Sequence, residues 1–218
     1  MSKVIMMEIN HLWADGSEKE WKEALGKYYN MPQVMNISDL DCEIEEVHNN
    51  LRAIRKMSGE AFYEFLHDKY FVWKYTAPNR LATTRKALEK QDKNELAKIK
   101  NELFDIHDNM PDEIKLLLKT AMQIKGLGTV GASGLLSILF PDEYCSVDQY
   151  SLDSLCEIKS FSDETKKILK AIKPNSIKCK EGAFIEMILR DKAEELNKKF
   201  NTSEWTPRKI DMVLWAYR

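Results

Sequence analysis

The chain has 218 residues, of which 44% are hydrophobic and 31% are charged, and its formal net charge is −2. These values suit a folded, soluble protein with enough length for a sizeable core. They exclude a polycation but leave nucleic-acid binding open, because a nearly neutral protein can still carry basic faces.

No segment predicts a membrane or secretory protein. The N-terminal run MSKVIMMEIN is too short for a signal peptide, and no other apolar run is long enough to cross a bilayer. We therefore expect a cytoplasmic protein, associated with the nucleoid if it is bacterial, and no membrane partner.

The cysteines and histidines show no spacing typical of a metal site. The cysteines are widely separated and form no C-x-x-C pair: Cys42, Cys145, Cys156 and Cys179. This excludes the signatures of a zinc knuckle and of an iron–sulfur cluster. We predict no metal bound by side chains, and we interpret the cysteines as buried, reduced thiols.

The first predicted helices follow from capping residues and apolar spacing. Ser17 opens a helix in which Trp21, Leu25 and Tyr28 share one face. Ser38 opens another helix that extends to about residue 57, with an acidic residue three positions later as in a capping box.

The middle of the chain combines an aromatic segment with further helices. Seven aromatic side chains crowd into EAFYEFLHDKYFVWKY, residues 60–75, and the following TAPNR predicts a turn. We expect Thr83 or Thr84 to cap the next helix, and another helix to span about 93–107.

The last part of the chain also predicts helices. Pro111 suits the first turn of PDEIKLLLKTAMQI, and apolar spacing predicts helices in SDETKKILKAI and EGAFIEMILRDKAEELNKKF. Thr206 and Pro207 are the expected cap and first residue of a final helix. Because no segment shows sustained strand-like alternation, we predict an all-α fold, with residues 1–218 as a single domain.

The stretch IKGLGTVGASGLLSILFPDEYCSVDQ, residues 124–149, carries the main functional signal. Gly126 and Gly128 flank one leucine and permit positive φ and close backbone approach. Apolar faces on both sides of this pair predict two packed helices joined by a tight turn, and the small residues 131–134 would let them approach closely. The free amides and the dipole at the start of the second helix suit a phosphate.

This pattern resembles the helix-hairpin-helix motif, here at about residues 112–140. With the following YCSVDQYSLDSL, it resembles the helix-hairpin-helix DNA glycosylase superfamily, which includes endonuclease III. Twenty positions separate Gly128 from Asp148, which is similar to the family pattern of hairpin, helix, loop and essential aspartate. The resemblance covers about residues 116–156 and implies two helical lobes with a cleft between them.

The resemblance implies roles for particular positions. The hairpin positions whose backbone would bind a DNA phosphate, often with a Na⁺ or K⁺ ion on the hairpin carbonyls, are Gly126, Leu127, Gly128, Thr129 and Val130. Asp148 would be the catalytic carboxylate at the mouth of a base pocket. Bifunctional members carry a nucleophilic lysine where this chain has Val130, so the resemblance implies no β-lyase activity. The iron–sulfur cysteines of some members are also missing here.

The expected chemistry explains a carboxylate in this place. An ionised Asp148 would stabilise the positive charge that builds on the sugar as an N-glycosidic bond breaks, and would orient or deprotonate a water. The candidate substrate contacts, by stacking on a flipped base or by binding phosphate, are Trp73, Lys74, Arg80 and Gln149. Residues 69–100 have a net charge of +6, and residues 166–180 hold six lysines and no acidic residue, which favours contact with phosphates.

Each functional signal also has a structural alternative. The glycine pair could form an ordinary turn between helices, and Asp148 could cap the helix that begins at DQYSLDSL. The aromatic residues at 70–75 are more typical of a core, and the lysines at 166–180 of a solvated face. The G-x-G-x-x-G match at residues 126–131 has little weight as a dinucleotide site, because no predicted strand precedes it.

Three hypotheses follow. The first is a monofunctional DNA glycosylase of base excision repair that acts on damaged or mispaired bases in double-stranded DNA, without an obligate protein partner. The second is a non-catalytic helix-hairpin-helix module that binds DNA. The third is an interaction protein whose hairpin packs against another helix.

Overall fold

The computed structural model describes residues 3–31 and 51–217, and every regular element among them is a helix. This confirms the all-α fold class. In this part of the chain no helix is long and apolar enough to span a membrane. In chain order the α-helices are α1 (Lys3–Asp15), α2 (Glu18–Tyr29), α3 (Leu51–Lys56), α4 (Gly59–Glu64), α5 (Phe71–Lys74), α6 (Pro78–Leu88), α7 (Lys93–Asn109), α8 (Ile114–Ala121), α9 (Thr129–Leu139), α10 (Gln149–Cys156), α11 (Asp163–Ala171), α12 (Cys179–Phe200) and α13 (Pro207–Ala216).

The helices form two compact units. The first unit combines α1 and α2 with the chain from Asp142 onward, and the second unit lies within Asn36–Pro141. The hairpin of α8 and α9 therefore belongs to the second unit, and Asp148 belongs to the first. The start of the helix predicted from Ser38 lies outside the described residues, and α3 corresponds to its last part.

An aromatic core organises the first unit. Trp21 packs against Trp13 and edge-on against Trp205, with ring centroids 6.2 and 5.5 Å apart. The buried ammonium of Lys192 donates to the Trp13 carbonyl oxygen at 2.6 Å and lies over the Trp13 and Trp21 rings. Because α2, α10 and α12 all pack against α13, α13 is the central helix of this unit.

The predicted caps in the first unit are confirmed. The Ser17 hydroxyl accepts from the Glu20 N–H, and the Glu20 carboxylate accepts from the Ser17 N–H, which completes a capping box at α2. Thr206 accepts from the Lys209 N–H, and Pro207 is the first residue of α13.

The aromatic segment forms the core of the second unit. It runs without a break through α4, a π-helical segment (Phe65–Tyr70) and α5. Six of its seven aromatic residues are buried, which confirms their interpretation as core residues: Phe62, Phe65, Tyr70, Phe71, Trp73 and Tyr75.

Two predicted helix starts in the second unit are wrong. α6 begins at Pro78, ahead of both Thr83 and Thr84, because the fixed φ of proline suits a first helical turn. α8 begins at Ile114, and Pro111 lies in the turn before it.

The turn between α8 and α9 depends on one of its two glycines. Gly126 adopts φ +98°, in the left-handed region, and a Cβ there would lie 2.8 Å from the Thr84 carbonyl oxygen of α6. Gly128 is extended, with φ −97° and ψ −172°. The predicted positive φ is therefore confirmed at Gly126 and is wrong at Gly128.

The segment after α6 holds this turn in place. The buried Gln91 side chain donates through Nε2 to the Gln123 carbonyl oxygen at 3.0 Å. Its Oε1 accepts from the Lys125 N–H at 2.7 Å, and Lys125 Nζ donates to the Lys90 carbonyl oxygen at 2.8 Å. One amide side chain thus satisfies both a donor and an acceptor of the turn.

We expect Gly126→Ala to lower the free energy of unfolding by about 2 kcal/mol or more, because alanine is strained at positive φ and its methyl group would press on α6. The matched control is Gly128→Ala, whose Cβ would meet nothing within 4 Å and which should cost about 1 kcal/mol or less. Denaturant unfolding measures both, and equal losses would contradict the special role of Gly126.

Candidate functional site

The N-terminal end of α9 is open to solvent. Gly128 is exposed and is the N-cap of α9, and no side chain hydrogen-bonds to this cap. Leu127 and Thr129 are buried on either side, and Val130 is half-buried. The first amides of α9 are therefore presented by the backbone alone, in the geometry that binds an anion such as phosphate.

Aromatic side chains of the same unit pack against the glycines of α9. The Tyr70 hydroxyl donates to the Gly131 carbonyl oxygen. A Cβ at Gly131 would overlap the Tyr75 hydroxyl, and one at Gly134 would lie 2.9 Å from the Tyr70 hydroxyl and 3.0 Å from the Lys74 chain. These glycines make room for the aromatic segment, and not for α8 as predicted.

The candidate substrate contacts differ in accessibility. Trp73 is only 9% exposed, and the half-buried Lys74 has its ammonium 5.8 Å from the centre of the Trp73 ring. Arg80 is exposed, with its guanidinium 5.7 Å from the centre of the Tyr75 ring. These residues share the second unit with the hairpin, whereas the half-buried Gln149 lies next to Asp148 in the first unit.

Asp148 is the N-cap of α10, so its predicted capping role is confirmed. Oδ1 accepts from the Tyr150 N–H at 2.8 Å and from the Ser151 N–H at 3.1 Å. Oδ2 accepts from the indole N–H of Trp215, in α13, at 3.3 Å. The side chain is half-buried, and both oxygens are held by donors of the same unit.

A second carboxylate lies behind this cap. The Ser151 hydroxyl is 2.5 Å from Asp211 Oδ1 and 3.4 Å from Asp148 Oδ1. A hydroxyl has one proton to donate, so the shorter distance assigns it to Asp211. Arg208 lies 3.7 Å from the other oxygen of Asp211. Sequence reasoning missed this group, although the three-residue spacing of Arg208 and Asp211 predicts their pairing on one helix.

A buried acid anchors the loop that leads to Asp148. Glu186 of α12 is 1% exposed, and its Oε2 accepts from the Cys145 N–H at 2.9 Å and lies 3.0 Å from the Cys145 sulfur. Burial raises the pKa of Glu186 to about 8, so this side chain is mostly a neutral acid at pH 7. Sequence reasoning missed this acid, although Glu186 lies at helical spacing from Gly182 and Leu189 and next to Ile185, on the buried face of α12.

Part of the second basic stretch packs against the helix that Asp148 caps. α10 packs against α11 and against the 3₁₀ turn Pro174–Ser176. Five of the lysines in residues 166–180 are exposed: Lys167, Lys170, Lys173, Lys178 and Lys180. The remaining one, Lys166, is half-buried and pairs with Asp163 at 3.7 Å. Positive charge thus lies in the same unit as the Asp148 carboxylate.

We expect Glu186→Gln to change the pH dependence of stability. Between pH 4.5 and 8 the unfolded chain releases this proton while the folded protein keeps it, so wild-type stability falls as pH rises, by about 1.4 kcal/mol per pH unit from this group. Glutamine cannot ionise. The free energy of unfolding of the variant, relative to that of the wild type, should therefore rise by about 2–4 kcal/mol between pH 5 and pH 8.

Denaturant unfolding at several pH values measures this difference. Glu194→Gln, at an exposed position of the same helix, is the control and should follow the wild type. Parallel stability curves for Glu186→Gln and the wild type would contradict the buried neutral acid.

Comparisons with protein-family models, with curated proteins and with solved structures give no match to this chain. In the described residues, no group of three or more histidine, cysteine or acidic side chains could hold a metal ion. The functional case therefore depends on the chemistry of the hairpin and of the Asp148 cap, together with the motif that links them in sequence.

Proposed function

We propose that the protein binds double-stranded DNA and acts as a monofunctional, helix-hairpin-helix DNA glycosylase-like enzyme that hydrolyses the N-glycosidic bond of a flipped, damaged or mispaired base. The observation that carries this proposal is the hairpin of α8 and α9, which has an exposed and uncapped helix start, followed in sequence by the loop that ends at Asp148. Two helical lobes with a cleft between them belong to the same proposal.

The hairpin is suited to a DNA phosphate. The amides of Thr129, Val130 and Gly131 are the first of α9, and the helix dipole adds positive potential at this end. The Ile124 carbonyl oxygen accepts a hydrogen bond from the Leu127 N–H. Among the described residues, no backbone N–H donates to the carbonyl oxygens of Gly126 and Leu127. These two carbonyls fit a Na⁺ or K⁺ ion, which would neutralise part of the phosphate charge.

Asp148 is suited to a developing sugar cation. As the C1′–N bond breaks, the electron pair of that bond leaves with the nucleobase. Water then adds to C1′, and the proton that the water loses passes to a general base such as Asp148. A carboxylate stabilises the transition state electrostatically before water adds. Val130 cannot form a Schiff base, so the proposed product is an intact abasic site without strand cleavage.

The exposed lysines at 167–180 support a DNA partner. Five exposed lysines in one stretch of the chain can neutralise phosphates and release counterions. This sequence-independent attraction complements a hairpin that contacts only the backbone of DNA.

A non-catalytic DNA-binding module is the second candidate, and one observation favours it. The capping hydrogen bonds of Asp148 to Tyr150 and Ser151 explain an aspartate at this position without any catalysis. Such a protein would use the hairpin and the lysines in the same way but would release no base.

A panel of duplexes, each with one lesion or mismatch, tests the enzymatic proposal. We expect alkali-labile abasic sites in at least one duplex and no strand break before alkali treatment. Asp148→Asn keeps the oxygen that caps α10, so it should retain DNA binding and lose at least about 100-fold in rate. Binding without abasic product across the panel would establish the module instead.

Blocking the hairpin tests DNA binding separately. Gly128→Leu adds a side chain where nothing lies within 4 Å, so the protein should fold, but the leucine would cover the amides that we assign to phosphate. We expect at least about a tenfold loss of affinity for duplex DNA at low salt. Gly26→Leu, at a similarly open position of α2, is the matched control, and equal affinity of the two variants would exclude the phosphate role of the hairpin.

A further inference from the structure

The two oxygens of the Asp148 carboxylate have different surroundings. Oδ1 is committed to the backbone of α10, because it accepts from two amides at 2.8 and 3.1 Å. Among the described residues, Oδ2 has one donor, the Trp215 indole N–H at 3.3 Å. A carboxylate oxygen can accept about two hydrogen bonds, so Oδ2 keeps capacity for one further ligand.

The Trp215 indole is itself fixed in direction. Tyr150 packs edge-on against its ring with centroids 5.5 Å apart, and Tyr28 packs edge-on against it with centroids 5.9 Å apart. An indole N–H is only a donor and can turn only with its ring. The helix cap and the indole therefore hold the plane of the carboxylate from two sides.

We infer that Trp215 is a positioning residue, which turns Oδ2 of Asp148 toward the reacting sugar and water while Oδ1 stays on the helix cap. This inference rests on the proposed glycosylase function, and it identifies Oδ2 as the oxygen of Asp148 that faces the reaction. Trp215 thereby orients Asp148 without touching the substrate.

The variant Trp215→Phe removes the N–H and keeps an aromatic ring between the two tyrosines. The control is Trp205→Phe in the same unit, because the N–H of the buried Trp205 indole has no hydrogen-bond partner among the described residues, whereas the half-buried Trp215 indole donates to Asp148. Both variants lose the larger ring. Only Trp215→Phe should affect the carboxylate.

Single-turnover base release is the first readout, and it uses the lesion duplex from which the wild type releases the base fastest. For Trp215→Phe we expect a rate about 10- to 100-fold lower at neutral pH with an affinity for DNA within about twofold of the wild type. An unchanged rate, a loss of DNA affinity as large as the loss of rate, or the same loss of rate in Trp205→Phe would overturn the inference.

The indole N–H resonances provide a readout that needs no activity. The chain has five tryptophans, and the resonance of Trp215 is the one that disappears in Trp215→Phe. We expect its chemical shift to differ between the wild type and Asp148→Asn, while the Trp205 resonance stays in place, because the carboxylate that accepts the Trp215 N–H is replaced. A Trp215 resonance that is the same in both proteins would refute the hydrogen bond and the inference with it.

These two readouts separate the inference from the proposed function. If no duplex loses a base but the resonance changes in Asp148→Asn, the glycosylase proposal fails and the reactive role of Oδ2 fails with it. If bases are released and Trp215→Phe behaves like Trp205→Phe, the glycosylase proposal stands and only the positioning role is wrong.

Discussion

The interaction on which the first unit depends most is the capping of α10 by a carboxylate that also meets α13. A helix start leaves amide donors without intrahelical partners, and Asp148 satisfies those of Tyr150 and Ser151. The same side chain accepts from Trp215, so the local requirement of one helix end is tied to the central helix of the unit. A carboxylate held by donors of two helices has little freedom to rotate.

Two buried acids lie in the same unit as Asp148. Asp211 is hydrogen-bonded to the Ser151 hydroxyl and lies beside Arg208, and these partners offset the cost of burying its carboxyl group. Burial raises the pKa of Glu186 to about 8, so this side chain is mostly a neutral acid at pH 7. The two acids thus have different partners in one unit, since Asp211 lies beside Arg208 and Glu186 lies beside Cys145.

Sequence reasoning succeeded where the determining interaction is local. The caps of Ser17 and Thr206 are decided by residues three positions away, and they are confirmed. The start of α6 was wrong because proline at the first turn competes with a threonine cap, and Pro78 prevails. The two glycines of the turn look alike in sequence, and only the approach of α6 to Gly126 distinguishes them.

The partners of the candidate site could not be read in the same way. Trp215 is 67 positions from Asp148, Asp211 is 60 from Ser151, and Glu186 is 41 from Cys145. Such pairs depend on which helices pack together, and no local pattern in a single sequence determines that. The usable local signals were the position of Glu186 in the apolar period of α12 and the three-residue spacing of Arg208 and Asp211.

The fit of two tyrosine hydroxyls against the glycines of α9 has a consequence for ligand binding at the hairpin. The Tyr75 hydroxyl lies at Gly131 and the Tyr70 hydroxyl lies at Gly134, and Tyr70 also donates to the Gly131 carbonyl oxygen. The amide groups at the tip of α9 are therefore preorganised before any anion arrives. The phosphate site that we propose at this tip would therefore lose little conformational entropy on binding.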